Sequence, residues 1–80
     1  MKKWFVRVLP KPEVLDVQGR TVLQMLKSQE LPFEKVRVGK LIELELPAST
    51  QDPEEVLKKA LKAGLYNPLI EVATIEGAGS

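Results

Sequence analysis

The chain has no cysteine and no histidine. Without cysteine there is no disulfide to brace a small domain and no thiol nucleophile. Without histidine the commonest general base is missing, and with both absent only carboxylates are left for a metal, which makes a structural zinc site implausible. Neither sign of charge dominates: 12 Lys and Arg stand against 11 Asp and Glu, a net +1. That balance argues against a dedicated nucleic-acid binder, which carries a basic face. Aromatic residues make up only 5% of the chain. With no basic strip beside them, Trp4, Phe5 and Tyr66 read as core or interface residues. No apolar run approaches the roughly 20 residues of a membrane span. Lys2-Lys3 before Trp4-Phe5-Val6 does not open a signal peptide, because Arg7 and Pro10 interrupt the apolar stretch and no small-residue cleavage site follows. A cytoplasmic protein with neither membrane nor nucleic acid as partner is expected.

What is present fits one small domain. Eighty residues leave no room for a second; the domain is expected over 1–76, with Gly77-Ala78-Gly79-Ser80 as a flexible tail. A domain of this size without disulfide or metal is expected to draw stability from oligomerisation. Residues 3–9 alternate as a strand, Trp4, Val6 and Val8 on one face and Phe5, Arg7 and Leu9 on the other. Pro10 and Pro12 end it. Asp16 is placed as an N-cap whose carboxylate accepts from Gln18 or Gly19. It opens a helix to about Gln29, with Val22, Met25 and Leu26 as its buried stripe and Leu31-Pro32 as its break.

From Val36 to Leu46 apolar and polar residues alternate in one register. Gly39-Lys40 reads either as a hairpin turn or as a bend in one long strand. The long strand keeps the pattern intact, whereas the hairpin sets an acid on the apolar face. Asp52-Pro53-Glu54-Glu55 reads as a helix start with a capping box. Val56, Leu57, Ala60 and Leu61 are its buried stripe and Gly64 its stop. Asn67-Pro68 turns the chain into a last strand, Leu69 to Glu76. The expected fold is α+β: a two-layer sandwich in β-α-β-α-β order, two helices on one face of a three- to four-stranded, mostly antiparallel sheet.

The residues offer little chemistry. Ser28, Ser49 and Ser80 have no activating neighbours. Asp52, Glu54 and Glu55 complement a helix dipole more simply than they hold a metal. Gly39-Lys40 lacks the G-x-x-x-x-G-K-[ST] framework, and Leu41 stands where Ser or Thr is needed. Arg37 beside it makes the pair a contact for an anion or carboxylate on a partner. Gly19 sits in a helix's first turn, where glycine costs roughly 1 kcal/mol against alanine; another backbone, the chain's own or a partner's, is expected close by. No catalytic, cofactor-binding or metal-ligating residue is assigned. The candidate partner contacts are Asp16, Gln18, Gly19, Arg37, Gly39 and Lys40; the candidate homo-oligomer contacts are Trp4, Phe5 and Leu41.

Three phrases then carry a resemblance: Val14-Leu15-Asp16-Val17-Gln18-Gly19, Val36-Arg37-Val38-Gly39-Lys40 through Leu44, and Asn67-Pro68-Leu69-Ile70-Glu71. In this order, within one short chain, they resemble the PurS family, the small subunit of phosphoribosylformylglycinamidine synthase where that enzyme is divided among separate chains. The resemblance covers Trp4 to Glu76. The chain departs from the family's pattern at Val17, where proline is frequent, at Leu69, where valine is frequent, and at Val72-Ala73, which replace an acidic-aromatic continuation.

The resemblance implies a non-catalytic role in de novo purine synthesis. The enzyme is a C–N ligase that converts formylglycinamide ribonucleotide to the amidine with ATP and with ammonia from glutamine. The partners it implies are a synthetase (PurL-like) subunit, which holds ATP and magnesium, and a glutaminase (PurQ-like) subunit. The small subunit bridges the two as a homodimer or homotetramer, supports ammonia transfer, and holds no cofactor itself. Two readings from other classes stand beside it. One is a regulatory module that binds a small ligand, as ACT-like domains do. The other is an RNA-binding α/β module, which the charge balance disfavours.

Overall fold

A computed structural model describes residues 1–77; of the expected tail, residues 78–80 lie outside the described residues. The alternating segment at the start forms strand β1, Lys2–Pro10. It takes the centre of an antiparallel three-stranded sheet in the order β2-β1-β3, where β2 is Lys40–Leu46 and β3 is Glu71–Gly77. In the register, Val6 faces Ile42 on one side and Ile75 on the other, while Arg7 faces Leu41 and Thr74. Opposed residues in such a ladder share a face. One face therefore carries Trp4, Val6, Val8, Ile42, Leu44, Ala73 and Ile75, and the other Phe5, Arg7, Leu9, Leu41, Glu43, Val72 and Glu76. This is the small α+β fold the alternation predicts.

The first face holds the core. Val6, Val8 and Leu57 are the fully buried side chains, exposed by no more than 2%. Leu57 comes from helix α2, Pro53–Ala60. The opposite face is open, with Leu41 exposed by 59% and Val72 by 48%. Its charges pair across strands: Lys3 lies 3.6 Å from Glu43 and 4.0 Å from Glu45, and Arg7 2.8 Å from Glu76. Such exposed pairs contribute under about 1 kcal/mol each.

Helix α1, Val17–Ser28, begins on Asp16 as the sequence suggests. It ends on a signal that the sequence hides. Glu30 adopts a left-handed φ of 60°. Its N–H bonds back to the Lys27 carbonyl, and that of Leu31 to the Leu26 carbonyl. This is a Schellman stop with glutamate where glycine is the usual occupant. The helix therefore stops before the Leu31-Pro32 break. Its stripe is also corrected: Met25 is 48% exposed, and Leu23 joins Val22 and Leu26 as half-buried.

The start of α2 departs from the expected capping box. Asp52 lies in the left-handed region with φ 50°, so its carboxylate makes no cap bond. Its carbonyl instead accepts from Glu55 and Val56. Pro53 does occupy the first turn and Glu54 and Glu55 still complement the dipole. Val56, at 40% exposed, leaves the buried stripe to Leu57, with Ala60 and Leu61 half-buried. The helix runs on as a wider turn, Leu61–Leu65, and stops at Gly64, φ 120°.

Gly39-Lys40 is not a hairpin. Strand β2 begins at Lys40 opposite Val8, and Leu31 to Gly39 leads into it without a strand partner. Val36, Val38, Ile42, Leu44 and Leu46 are half-buried and the odd-numbered residues between them exposed, but Lys40 at the strand's start is exposed as well. The strand therefore covers Lys40–Leu46 alone, the second half of the expected long strand, and residues 36–39 enter it outside any strand.

Candidate functional site

The first helix turn is held by a single carboxylate. One oxygen of Asp16 accepts from the Gly19 N–H at 2.9 Å, and the other from the Val38 N–H at 2.8 Å. The first bond is an N-cap. The second ties the start of α1 to the segment entering β2, 22 residues away. These two N–H groups, Gly19 first and Val38 second, with Arg37 nearby, hold the Asp16 carboxyl below the usual aspartate range; partial burial opposes them. The Arg37 guanidinium also donates to the Pro10 carbonyl, clamping the end of β1 to the same segment.

Glycine is required here by space. A β-carbon on Gly19 would stand 2.5 Å from the Val36 carbonyl oxygen and closer still to the Asp16 carboxylate. The backbone that approaches Gly19 is thus the chain's own. Gly39 faces a harder wall, because a β-carbon there would collide with the Val8 carbonyl of the central strand and come within 2.9 Å of Leu9.

The third phrase closes from the other side. The Asn67 side chain accepts from the Leu69 N–H at 3.0 Å, and the Asn67 N–H donates to the Glu71 carboxylate at 2.7 Å. The Asn67 carbonyl accepts from Ile70 and Glu71, and the Lys11 N–H donates to the Ile70 carbonyl at 2.9 Å. This turn sends the chain into β3, leaving Leu69 81% exposed.

All three phrases meet around one open cleft of about 410 Å³. Asp16 and Gln18 reach it from the first, Gly39 and Lys40 from the second, Ile70 and Glu71 from the third. Leu15 and Val17 stand at its rim, exposed by 70% and 63%. An apolar patch rimmed by polar groups marks an interaction surface. Of the six candidate partner contacts, Asp16, Gln18, Gly39 and Lys40 line this cleft. Gly19 lies buried beneath it, and Arg37 lines the adjoining recess against Pro10. The three candidate homo-oligomer contacts are not brought together. Phe5 and Leu41 share a recess on the open sheet face. Trp4 lies on the core face, half-buried, its indole N–H buried without a partner among the described residues.

Missed by sequence reasoning were the roles of Pro10 and Val38, whose backbone groups complete the cleft wall; only a tertiary contact identifies them. Among the described residues no cluster of three metal-ligating side chains occurs. No helix is long and apolar enough to cross a membrane.

The family model "PurS: Phosphoribosylformylglycinamidine (FGAM) synthase" matches residues 3–79. The phosphoribosylformylglycinamidine synthase subunit PurS of Thermotoga maritima is 35% identical over 71 residues, spanning 86% of this chain and 87% of its own length. Among solved structures, PurS of B. subtilis superposes with a TM-score of 0.82 at 34% identity, covering 98% of this chain and 99% of that one. A chain of the PurLQS structure from Thermotoga maritima gives a TM-score of 0.85 at 32% identity, with 96% of each chain covered.

Proposed function

As the chain belongs to the PurS family of phosphoribosylformylglycinamidine synthase subunits, we propose that its part in the enzyme is assembly and not catalysis. The enzyme is a ligase of purine biosynthesis, and the chain works in it together with other subunits. In our reading it bridges a synthetase (PurL-like) and a glutaminase (PurQ-like) subunit in the cytoplasm and supports the passage of ammonia between them. ATP and magnesium belong to the synthetase, and this chain holds no cofactor. The cleft where the three phrases meet is the contact surface for those subunits.

One observation carries the assembly reading, the chain's excess of surface. It exposes 6141 Å², against about 4,800 Å² for a compact monomer of its mass. Its radius of gyration is 16.0 Å, against about 12 Å for a compact chain of this length. An excess of about 1,300 Å² per chain corresponds to about 2,600 Å² buried between two copies, within the range of obligate homodimers. The open sheet face with Phe5 and Leu41 supplies part of that area.

Reconstitution tests the reading. Glutamine-dependent synthesis of the amidine requires this chain, while the synthetase alone keeps its ammonia-dependent reaction and the glutaminase its own fold. Equal glutamine-coupled turnover without the chain refutes it. Saturable thermal stabilisation by an amino acid or nucleotide supports the small-ligand module instead.

A further inference from the structure

We propose that the cleft and the recess beside it receive an acidic segment of one of the larger subunits, a large apolar side chain flanked by carboxylates. The inference rests on the assembly reading above and gives the chemistry of the partner that this surface fits. The two hollows are continuous, sharing Pro10, Val14 and Asp16. Their charged lining is unequal. Lys40 in the cleft and Lys11, Lys35 and Arg37 in the recess stand against only Asp16 and Glu71.

Which of these charges are already engaged decides the sign of the occupant. The two Asp16 oxygens accept from the Gly19 and Val38 N–H groups, and Glu71 accepts from the Asn67 N–H. Both carboxylates thus serve the chain's own backbone. The cations have no matching partners. Among the described residues the ion pairs are those of Lys3 and Arg7, so Lys11, Lys35, Arg37 and Lys40 form none. Arg37 uses only part of its guanidinium fork, on the Pro10 carbonyl. Glu13 and Glu34, although near in sequence, line neither hollow. Four cations around one hollow set up a positive potential, which low-dielectric apolar walls focus. Leu15, Val17 and Ile70 stay exposed at the same place. Apolar surface interleaved with unpaired cations fits a protein segment, because a bare anion or a nucleic-acid backbone leaves the three aliphatic side chains uncovered.

Binding of charge-reversed chains to the synthetase and glutaminase subunits tests the inference. Lys11→Glu with Lys40→Glu is expected to slow association at least about tenfold and to flatten its dependence on salt up to about 0.5 M. Lys58→Glu with Lys59→Glu makes the same change in net charge on α2, and association is expected to stay within about twofold. Leu15→Ala, at a side chain 70% exposed, tests the apolar half without altering charge or core; dissociation is expected to quicken about fivefold. Native-like binding by both cleft variants overturns the inference and leaves the assembly function standing, as does an equal loss in the α2 control. A deficit confined to self-association assigns the cations to a contact between copies and overturns it too. A native chain that binds neither larger subunit overturns the assembly reading and the inference with it.

Discussion

Replacing Gly19 by alanine sets two effects of opposite sign against each other. At an ordinary helical position the change favours folding by about 1 kcal/mol, because alanine loses less backbone freedom. Here the new methyl would stand 2.5 Å from the Val36 carbonyl oxygen, about an ångström inside normal contact. Helix and strand lead-in must separate by that much, and overpacking of this kind costs about 1–3 kcal/mol. The separation also pulls the Val38 N–H away from Asp16, a bond of 2.8 Å. The steric term wins, and a net loss of about 1–2 kcal/mol is expected. In a chain of this size that lowers Tm by roughly 5–15 °C. Urea unfolding at fixed protein concentration reads the change directly, with Gln24→Ala on the exposed side of the same helix as the control. A gain of about 1 kcal/mol for Gly19→Ala would falsify the close approach of Val36 and with it the packing of the cleft floor.

Gly39→Ala drives a methyl into the Val8 carbonyl of the central strand, and a loss of about 3 kcal/mol or more is expected by the same unfolding assay; near-neutrality would show that β2 enters the sheet differently. Asp16 has its pKa lowered on folding, so the stabilisation it gives is complete above the ordinary aspartate range near pH 4 and is lost as pH falls through the depressed folded value. Asp16→Asn should therefore flatten the acid limb of a stability–pH profile below about pH 4, and an unchanged limb counts against the double hydrogen bond. Glu30→Gly relieves a left-handed residue at φ 60° and should raise stability by about 0.5–1 kcal/mol, read as Tm; a fall would contradict the Schellman stop.

Local chemistry was legible in the sequence wherever one residue type sufficed to decide it. Asp16 announces a cap because its short carboxylate reaches the next N–H groups, and the alternation from Val36 to Leu46 announces a strand. Gly19 announces a close approach, since nothing local justifies a glycine there. The identity of the approaching backbone was not legible, because it depends on where a segment 17 positions later returns. Asp52 shows the reverse failure: residue type and spacing promise a side-chain cap, and a left-handed φ of 50° turns the carboxylate away. Glu30 hides its helix stop because glutamate is an unusual occupant of that conformation. The cleft itself unites three phrases that sequence order keeps apart, and only the β2-β1-β3 arrangement brings them together.

The lone tryptophan gives the chain a built-in optical reporter. The Trp4 ring lies against the end of β3, so tightly that a β-carbon on Gly77 would come within 2.9 Å of it, and its indole N–H is buried without an acceptor among the described residues. Emission from a ring so placed lies to the blue of a solvated indole and moves red when the last strand frays. Docking of the last strand can thus be followed in the native chain by fluorescence, with no label attached.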